Sequence, residues 1–266
     1  MNTIIRYAKI NYVLFKNSLI RDSQLPGHII SSVLFRVLEL IISIVFFKVI
    51  FANTPSLAGW NFYQVLFLYA FARTITITHS AWTRKGIQSM ASELIRRGEF
   101  DFYLAKPVDP MLMVSIKSPR IYTFITLLFM IPLAIYAAVK SGIPIGPDNI
   151  LWFLVLWFLA FILYYFLQIL VITPAFWFVR LWTIGEIMDR MATFMRYPAG
   201  IFGQTIQIVL MVIFPIITVS FIPAQTLFYP PNYLWIFFMF LITILFGALT
   251  RFIWHLGEKS YNSASS

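Results

Sequence analysis

The feature that most constrains this chain is a series of six apolar stretches, each close to the ~20 residues that a helix needs to cross the hydrocarbon of a bilayer. They cover residues 29–51, 62–81, 121–139, 150–178, 201–222 and 233–254. A water-soluble core cannot absorb them. Of 266 residues 60% are hydrophobic and 18% aromatic, with 11% charged, whereas soluble domains carry about 25% charged residues. Within lipid every backbone N–H and C=O must be satisfied inside the protein, which makes helices of stretches this long. The sequence therefore reads as an all-α integral membrane protein, one domain over 1–266 with six transmembrane helices. The fourth stretch is too long for a simple crossing and has to tilt, project or break near Pro174. Pro132 and Pro215 mark expected kinks in the third and fifth.

The formal charge is +10, and the positions of the cations decide what it means. Residues 1–24 hold Arg6, Lys9, Lys16 and Arg21, and the loop 82–120 holds Arg84, Lys85, Arg96, Arg97, Lys106, Lys117 and Arg120. Arg180, Arg190 and Arg196 follow, then Arg251 and Lys259. With six crossings these sixteen of the twenty Lys and Arg fall on one side, and the opposite loops at 53–59, 141–149 and 223–232 contain none. By the positive-inside rule both termini are cytoplasmic. The same distribution accounts for the charge with no nucleic-acid partner. Trp60, Trp152 and Trp235 sit near the outer ends of the second, fourth and sixth spans, where interfacial aromatics are expected.

Ahead of the first span, Arg6, Lys9 and Lys16 share one sector of a helical wheel, and Ile4, Ala8, Tyr12, Phe15 and Leu19 gather on the other side. This predicts an amphipathic helix lying on the inner membrane surface over 1–24. The scattered cations leave no uninterrupted apolar run of the signal-peptide kind, so the first span is expected to stay in the mature protein. The tail 263–266 is assigned no structure.

Several chemistries have no residues to carry them. Cysteine is absent, and His28, His79 and His255 lie far apart with no metal-ligand spacing. No GxxxxGK[ST], HExxH, GxSxG or DxDxDG pattern occurs. The chain is thus read as having no catalytic residues, no metal and no cofactor of its own, which favours transport or scaffolding over enzymology.

Four ionisable side chains enter the spans. Arg36 and Glu39 are three apart on the first and share a helical face, Arg73 lies near the middle of the second, and Lys48 near the outer end of the first can snorkel. Charges at membrane depth face protein or water, not lipid. Arg36, Glu39 and Arg73 therefore belong either to a polar pathway or to a helix-to-helix ion pair. Gln168, Gln204 and Gln207 are neutral polar residues of spans four and five, which hydrogen-bond a neighbouring helix or touch a substrate.

The loop 82–120 is the most informative segment. A short helix is predicted from about 86 to 97, ended by Gly98 at the C-cap with Arg96 and Arg97 in the last turn. Phe100, Phe102, Tyr103 and Leu104 follow as an exposed apolar cluster, and Lys106-Pro107 with Asp109-Pro110 enforce a turn. An apolar cluster rimmed by charge suits a docking surface for a soluble partner.

The run IRRGEFDFYLAKPVDP, residues 95–110, resembles the I-R-x-G-E-hydrophobic-D-x-x-L-x-[KR]-P stretch of the permeases of type-2 ABC exporters. Gly59-Trp60 followed by Val65 to Tyr69, Ala175-Phe176-Trp177, Tyr197-Pro198, Ile213-Phe214-Pro215 and Phe221 to Ala224 resemble other parts of that family in order. Phe100 stands where the family more usually has an aliphatic residue. The resemblance implies a six-helix permease that pairs with a second permease, identical or homologous, above two separate ABC ATPase subunits that bind ATP and Mg. It implies that the loop between spans two and three holds the coupling helix, assigning that role to Glu93, Arg96, Arg97, Gly98, Glu99, Phe100, Asp101, Lys106 and Pro107. Export across a bacterial-type inner membrane follows from the same resemblance. A rival reading, an ion-coupled secondary transporter or channel, would want carboxylates at the midplane, and Glu39 is the one acidic residue well inside a span.

Overall fold

Helices begin where the sequence supplies caps. In the computed structural model, which describes residues 3–24, 26–178 and 184–261, the chain enters α3 (Phe62–Trp82) through a reciprocal capping box. Asn61 Oδ1 accepts the Gln64 N–H at 3.0 Å and Gln64 Oε1 accepts the Asn61 N–H at 2.9 Å. Asn232 likewise caps α12 (Tyr233–Ser260), accepting from the N–H groups of Leu234 and Trp235. Before α3 come α1 (Thr3–Ser23) and α2 (Pro26–Asn53). The loop after it carries α4 (Arg84–Ser89), a π-helical continuation over Met90–Leu94, α5 (Asp101–Leu104) and α6 (Pro110–Ile116).

A 3₁₀ segment (Ile121–Thr126) leads into α7 (Leu127–Lys140), which continues through Pro132. α8 (Pro147–Ile172) tightens into a 3₁₀ turn over Thr173–Phe176, at the proline where the long fourth stretch was expected to change. Then follow α9 (Ile184–Met191), 3₁₀ turns over Ala192–Arg196 and Ala199–Ile201, α10 (Gln204–Ile208) with a π-helical continuation over Val209–Ile213, and α11 (Thr218–Phe228). The described residues are helical with no strand. Arg180 and the 263–266 tail lie outside the described residues.

Among the described residues three segments are long and apolar enough to cross a membrane, Ile121–Lys140, Pro147–Phe176 and Tyr233–Ser260, or four if a bent pair counts as one span. The bent pair corrects the fifth stretch. Instead of a kinked helix over 201–222, the chain runs helically over Gln204–Ile213, breaks at Phe214-Pro215, and resumes as Thr218–Phe228 at 102° to its first half. Pro215 lacks an N–H and cannot be carried through a helix interior, and the break is sharper than a kink. The outer loop expected at 223–232 is correspondingly shortened, because Pro223 lies within α11.

α11 is buried on nearly all its faces between α3 and α8. Around it the main core is built from α3, α7, α8, α11 and α12, with Phe47 reaching in from α2. Lipid offers little hydrophobic drive between helices, so close approach at small residues matters, and Ala72, Ala137, Ala160 and Ala224 are all buried here. Trp60, just ahead of α3, is turned inward: it is 5% exposed and packs against Phe221, Phe228 and Tyr229. The turn at Leu57–Trp60 folds the ring over the end of α11.

Candidate functional site

The loop between α3 and α7 is rooted in a second, smaller core. Ile87, Met90, Leu94 and Phe100 from the loop meet Ile172 and Phe176 at the end of α8 and Trp254 of α12. Gly98 makes the turn possible with φ of 73°, a conformation that costs other residues dearly. The chain then folds back, the Phe100 N–H reaching the Leu94 carbonyl at 3.2 Å. This corrects the expected exposed cluster: Phe100 is 0% exposed, held edge-on between Phe176 at 5.3 Å and Tyr261 at 5.3 Å with Trp254 at 6.2 Å. Phe102 is 70% exposed and Leu104 is exposed too. Glu93, Arg96, Arg97, Lys106 and Pro107 are exposed beside them, and Gly98, Glu99, Asp101 and Tyr103 are half-buried. Arg97 and Glu99 form a loose pair at 3.8 Å.

Further contacts pin this loop from both sides. Gly86 lies so close to α6 that a Cβ there would run into the backbone carbonyls of Val114 and Ser115. Asp109 caps α6 by accepting the Leu112 N–H at 3.1 Å, and it pairs with Arg251 of α12. Burial alone would raise the Asp109 carboxyl, but its bonds from Arg251 and from backbone N–H groups outweigh burial and hold it below the ordinary aspartate value. Tyr103 carries Lys106 over its ring at 5.2 Å, and burial pushes its hydroxyl up. From the other side α1 lies along the loop. Arg6 donates to the Pro107 carbonyl at 2.5 Å, Ser18 to the Pro119 carbonyl at 2.6 Å, and the Tyr7 hydroxyl accepts the Asp109 N–H at 2.8 Å.

A separate polar cluster sits where α2, α3, α9 and the turn after α9 meet. Glu39 Oε2 accepts from Arg73 at 2.7 Å and Oε1 from Arg196 at 3.3 Å, so both oxygens are engaged by guanidiniums from other elements, not by Arg36 on its own helix. Arg36 lines the same cavity, of about 240 Å³, and so do Arg84, Asp189, Thr76, Ser80 and Tyr164. Arg84 pairs with Asp189, whose carboxyl burial raises and Arg84 pulls part of the way back.

Gln168 borders this cluster, lining a small adjoining cavity with Arg84 and Asp189 and accepting from the Thr83 hydroxyl at 3.3 Å. Gln204 and Gln207 line another, apolar-walled cavity of about 380 Å³ with Met211 and Trp235. His79 is a satisfied core residue, bonded to the Phe161 carbonyl at 3.0 Å. Sequence reasoning missed Arg196 as a partner of Glu39, and the Arg84–Asp189 pair beside them. One signal was available, the polar stripe Arg73, Thr76, Ser80, Arg84 at helical spacing. It missed the aromatic seat of Phe100 as well, since Phe176 and Trp254 lie far away in sequence.

Apolar spanning helices beside a partly buried charge cluster, with a braced loop at their ends, point to a multi-pass membrane protein. The chain belongs to the ABC-2 family transporter proteins, whose family model matches residues 37–265. No curated protein and no solved structure matches it. Membership makes the chain a transport permease of a family whose members work with ABC ATPase partners and carry no nucleotide-binding domain of their own.

Proposed function

We propose that this chain is the permease subunit of an ATP-driven exporter in a bacterial-type inner membrane, crossing the bilayer six times with both termini cytoplasmic. The crossings are α2, α3, α7 with its 3₁₀ lead, α8, the α10–α11 pair taken as one broken span, and α12. The length of α2 supports this count, as does the capped length of α3, whose Gln64, Arg73 and His79 face protein. A second permease, identical or homologous, completes the pathway, and two ABC ATPase subunits bind ATP and Mg beneath the pair. α2 exposes Leu34, Phe35, Leu38, Ile41, Ile42 and Val45 along its length, apolar surface for lipid and for that second subunit.

The observation that carries the coupling assignment is the division of the loop into a buried root and an exposed face. Phe100 is locked to the ends of α8 and α12, while Phe102, Leu104 and the charges at Arg96, Arg97 and Lys106 are exposed where a partner can meet them. A push on the exposed face is passed through Phe100 to two spanning helices. ATP binding closes the partner subunits, the loop moves with them, and the permeases rearrange to release cargo outward. The rival ion-coupled reading has less support, because both oxygens of Glu39 are already on guanidiniums.

Purification of the chain from its host, with a search for a co-eluting ATPase, tests the class. Glu99→Ala with Asp101→Ala, and separately Phe102→Ala, test the loop. The expected result is loss of ATPase stimulation and weakened assembly with the fold intact. Unchanged stimulation and assembly in both variants would remove the coupling assignment.

A further inference from the structure

The charges around the 240 Å³ cavity do not close on themselves. Arg36, Arg73, Arg84 and Arg196 face Glu39 and Asp189 across it, an excess of two positive charges. Both carboxylates are already spoken for, Glu39 by Arg73 and Arg196, Asp189 by Arg84. Arg73 is 9% exposed, and its Nε and that of Arg84 are buried without an acceptor. A buried guanidinium without full compensation is costly. Were the cluster present only to pin α2 to α3, one arginine opposite Glu39 would suffice.

The cavity exceeds several times the ~30 Å³ share of one water in the liquid, so a phosphate-sized group fits. Its neutral lining adds the hydroxyls of Ser80 and Tyr164, while the Thr76 hydroxyl is already donated to the Arg73 carbonyl at 3.1 Å. Guanidinium forks match the oxygen geometry of phosphate, and hydroxyls donate to its remaining lone pairs. We propose that this cavity binds a phosphate monoester, whose two negative charges offset the two surplus guanidinium charges. The group reaches it either as the headgroup of a lipid or as a soluble phosphate. Binding is measured on the chain alone with no ATPase present, so its outcome is separate from that of the permease reading.

The test uses the full chain purified in neutral detergent. Native mass spectrometry compares retention of phosphatidic acid with phosphatidylcholine of the same acyl chains, and thermal unfolding compares inorganic phosphate with chloride at equal ionic strength. Phosphatidic acid is expected to be retained at least about tenfold better. Arg36→Gln removes one cation while leaving Arg73 and Arg196 on Glu39, and it is expected to cut retention by about tenfold. Arg36→Lys should keep much of it. Lys48→Gln makes the same charge change at an exposed position near the other end of α2, and should behave as wild type. If Arg36→Gln fails to accumulate, Ser80→Ala should lower retention by about threefold. Stabilisation by inorganic phosphate without preference for phosphatidic acid identifies the soluble source. The proposal is overturned if neither phosphatidic acid nor phosphate has an effect, or if Arg36→Gln and Lys48→Gln weaken retention alike.

Discussion

The molecule has two apolar cores, and the same substitution means different things in each. The larger runs through the spanning helices, from Val65 and Leu68 of α3 to Met239 and Ile242 of α12. Outside it the helices present residues such as Leu128, 72% exposed, which the proposed spans would set against lipid. Moving such a side chain from protein to lipid exchanges one apolar surrounding for another. The smaller core, around Phe100, Phe176 and Trp254, sits under a loop whose outer face is charged. On the proposed topology the alternative surrounding there is water, and the hydrophobic effect applies at its full ~25 cal/mol per Å². The loop thus holds its place by burial from water, whereas the spans hold theirs by fit.

Phe100→Ala strikes the smaller core directly and is expected to have the largest effect. Truncating a fully buried Phe costs about 3–5 kcal/mol, here at a side chain in ring contact with both Phe176 after α8 and Trp254 of α12. Unfolding of the purified chain should show the loss, and loop amides should exchange faster with deuterium. Leu128→Ala, with a side chain of comparable apolar character facing outward, should change stability by under about 0.5 kcal/mol. Equal losses in the two variants would erase the distinction between the cores.

Gly86→Ala comes next. Its methyl would meet the carbonyls of Val114 and Ser115, which are backbone and cannot swing aside. Overpacking of this kind costs about 1–3 kcal/mol, and α4 would have to move off α6. Faster deuterium exchange of the α4 and α6 amides should report the displacement. Unchanged exchange would mean that the two helices are not tightly apposed.

Much of this architecture was legible in the sequence because periodicity and apolar length are local. The starts of α3 and α12, the change of helix type at Pro174 and the turn at Gly98 all depend on residues next to them. What was not legible depends on partners far along the chain. Trp60 has an end-of-span position that suits the membrane interface, and only the folding-in of α11 buries it. Phe100 has the company of charges that marks a surface residue, and its aromatic seat comes from 76 and 154 positions further on, at Phe176 and Trp254. The broken fifth stretch escaped for a different reason. Hydropathy reads length and not direction, so a helix that turns through 102° looks the same as one that crosses.

The smallest expected effect concerns the ion pair that ties the loop to α12. Asp109 is mostly buried and Arg251 is 54% exposed at its side chain, so solvent screens the pair and its worth is below about 1 kcal/mol. Its dependence on pH is nonetheless distinctive. Burial pushes the Asp109 carboxyl up, but Arg251 and the N–H groups of Leu112 and Met111 together bring it below the unfolded value. A depressed carboxyl contributes stability that is fully present above the unfolded pKa, near about 4. That contribution is lost as pH falls through the folded pKa, where Asp109 takes up a proton and the pair dissolves. Arg251→Gln should therefore unfold at a slightly lower temperature than wild type at neutral pH, with the gap closing below about pH 4. The loop's burial root has no titrating group at Phe100, Phe176 or Trp254, so wild type at low pH should lose the tie and still keep the loop seated. A gap between wild type and Arg251→Gln that stays constant from neutral to acid pH would show that Arg251 acts through packing of its alkyl stem rather than through the carboxylate of Asp109.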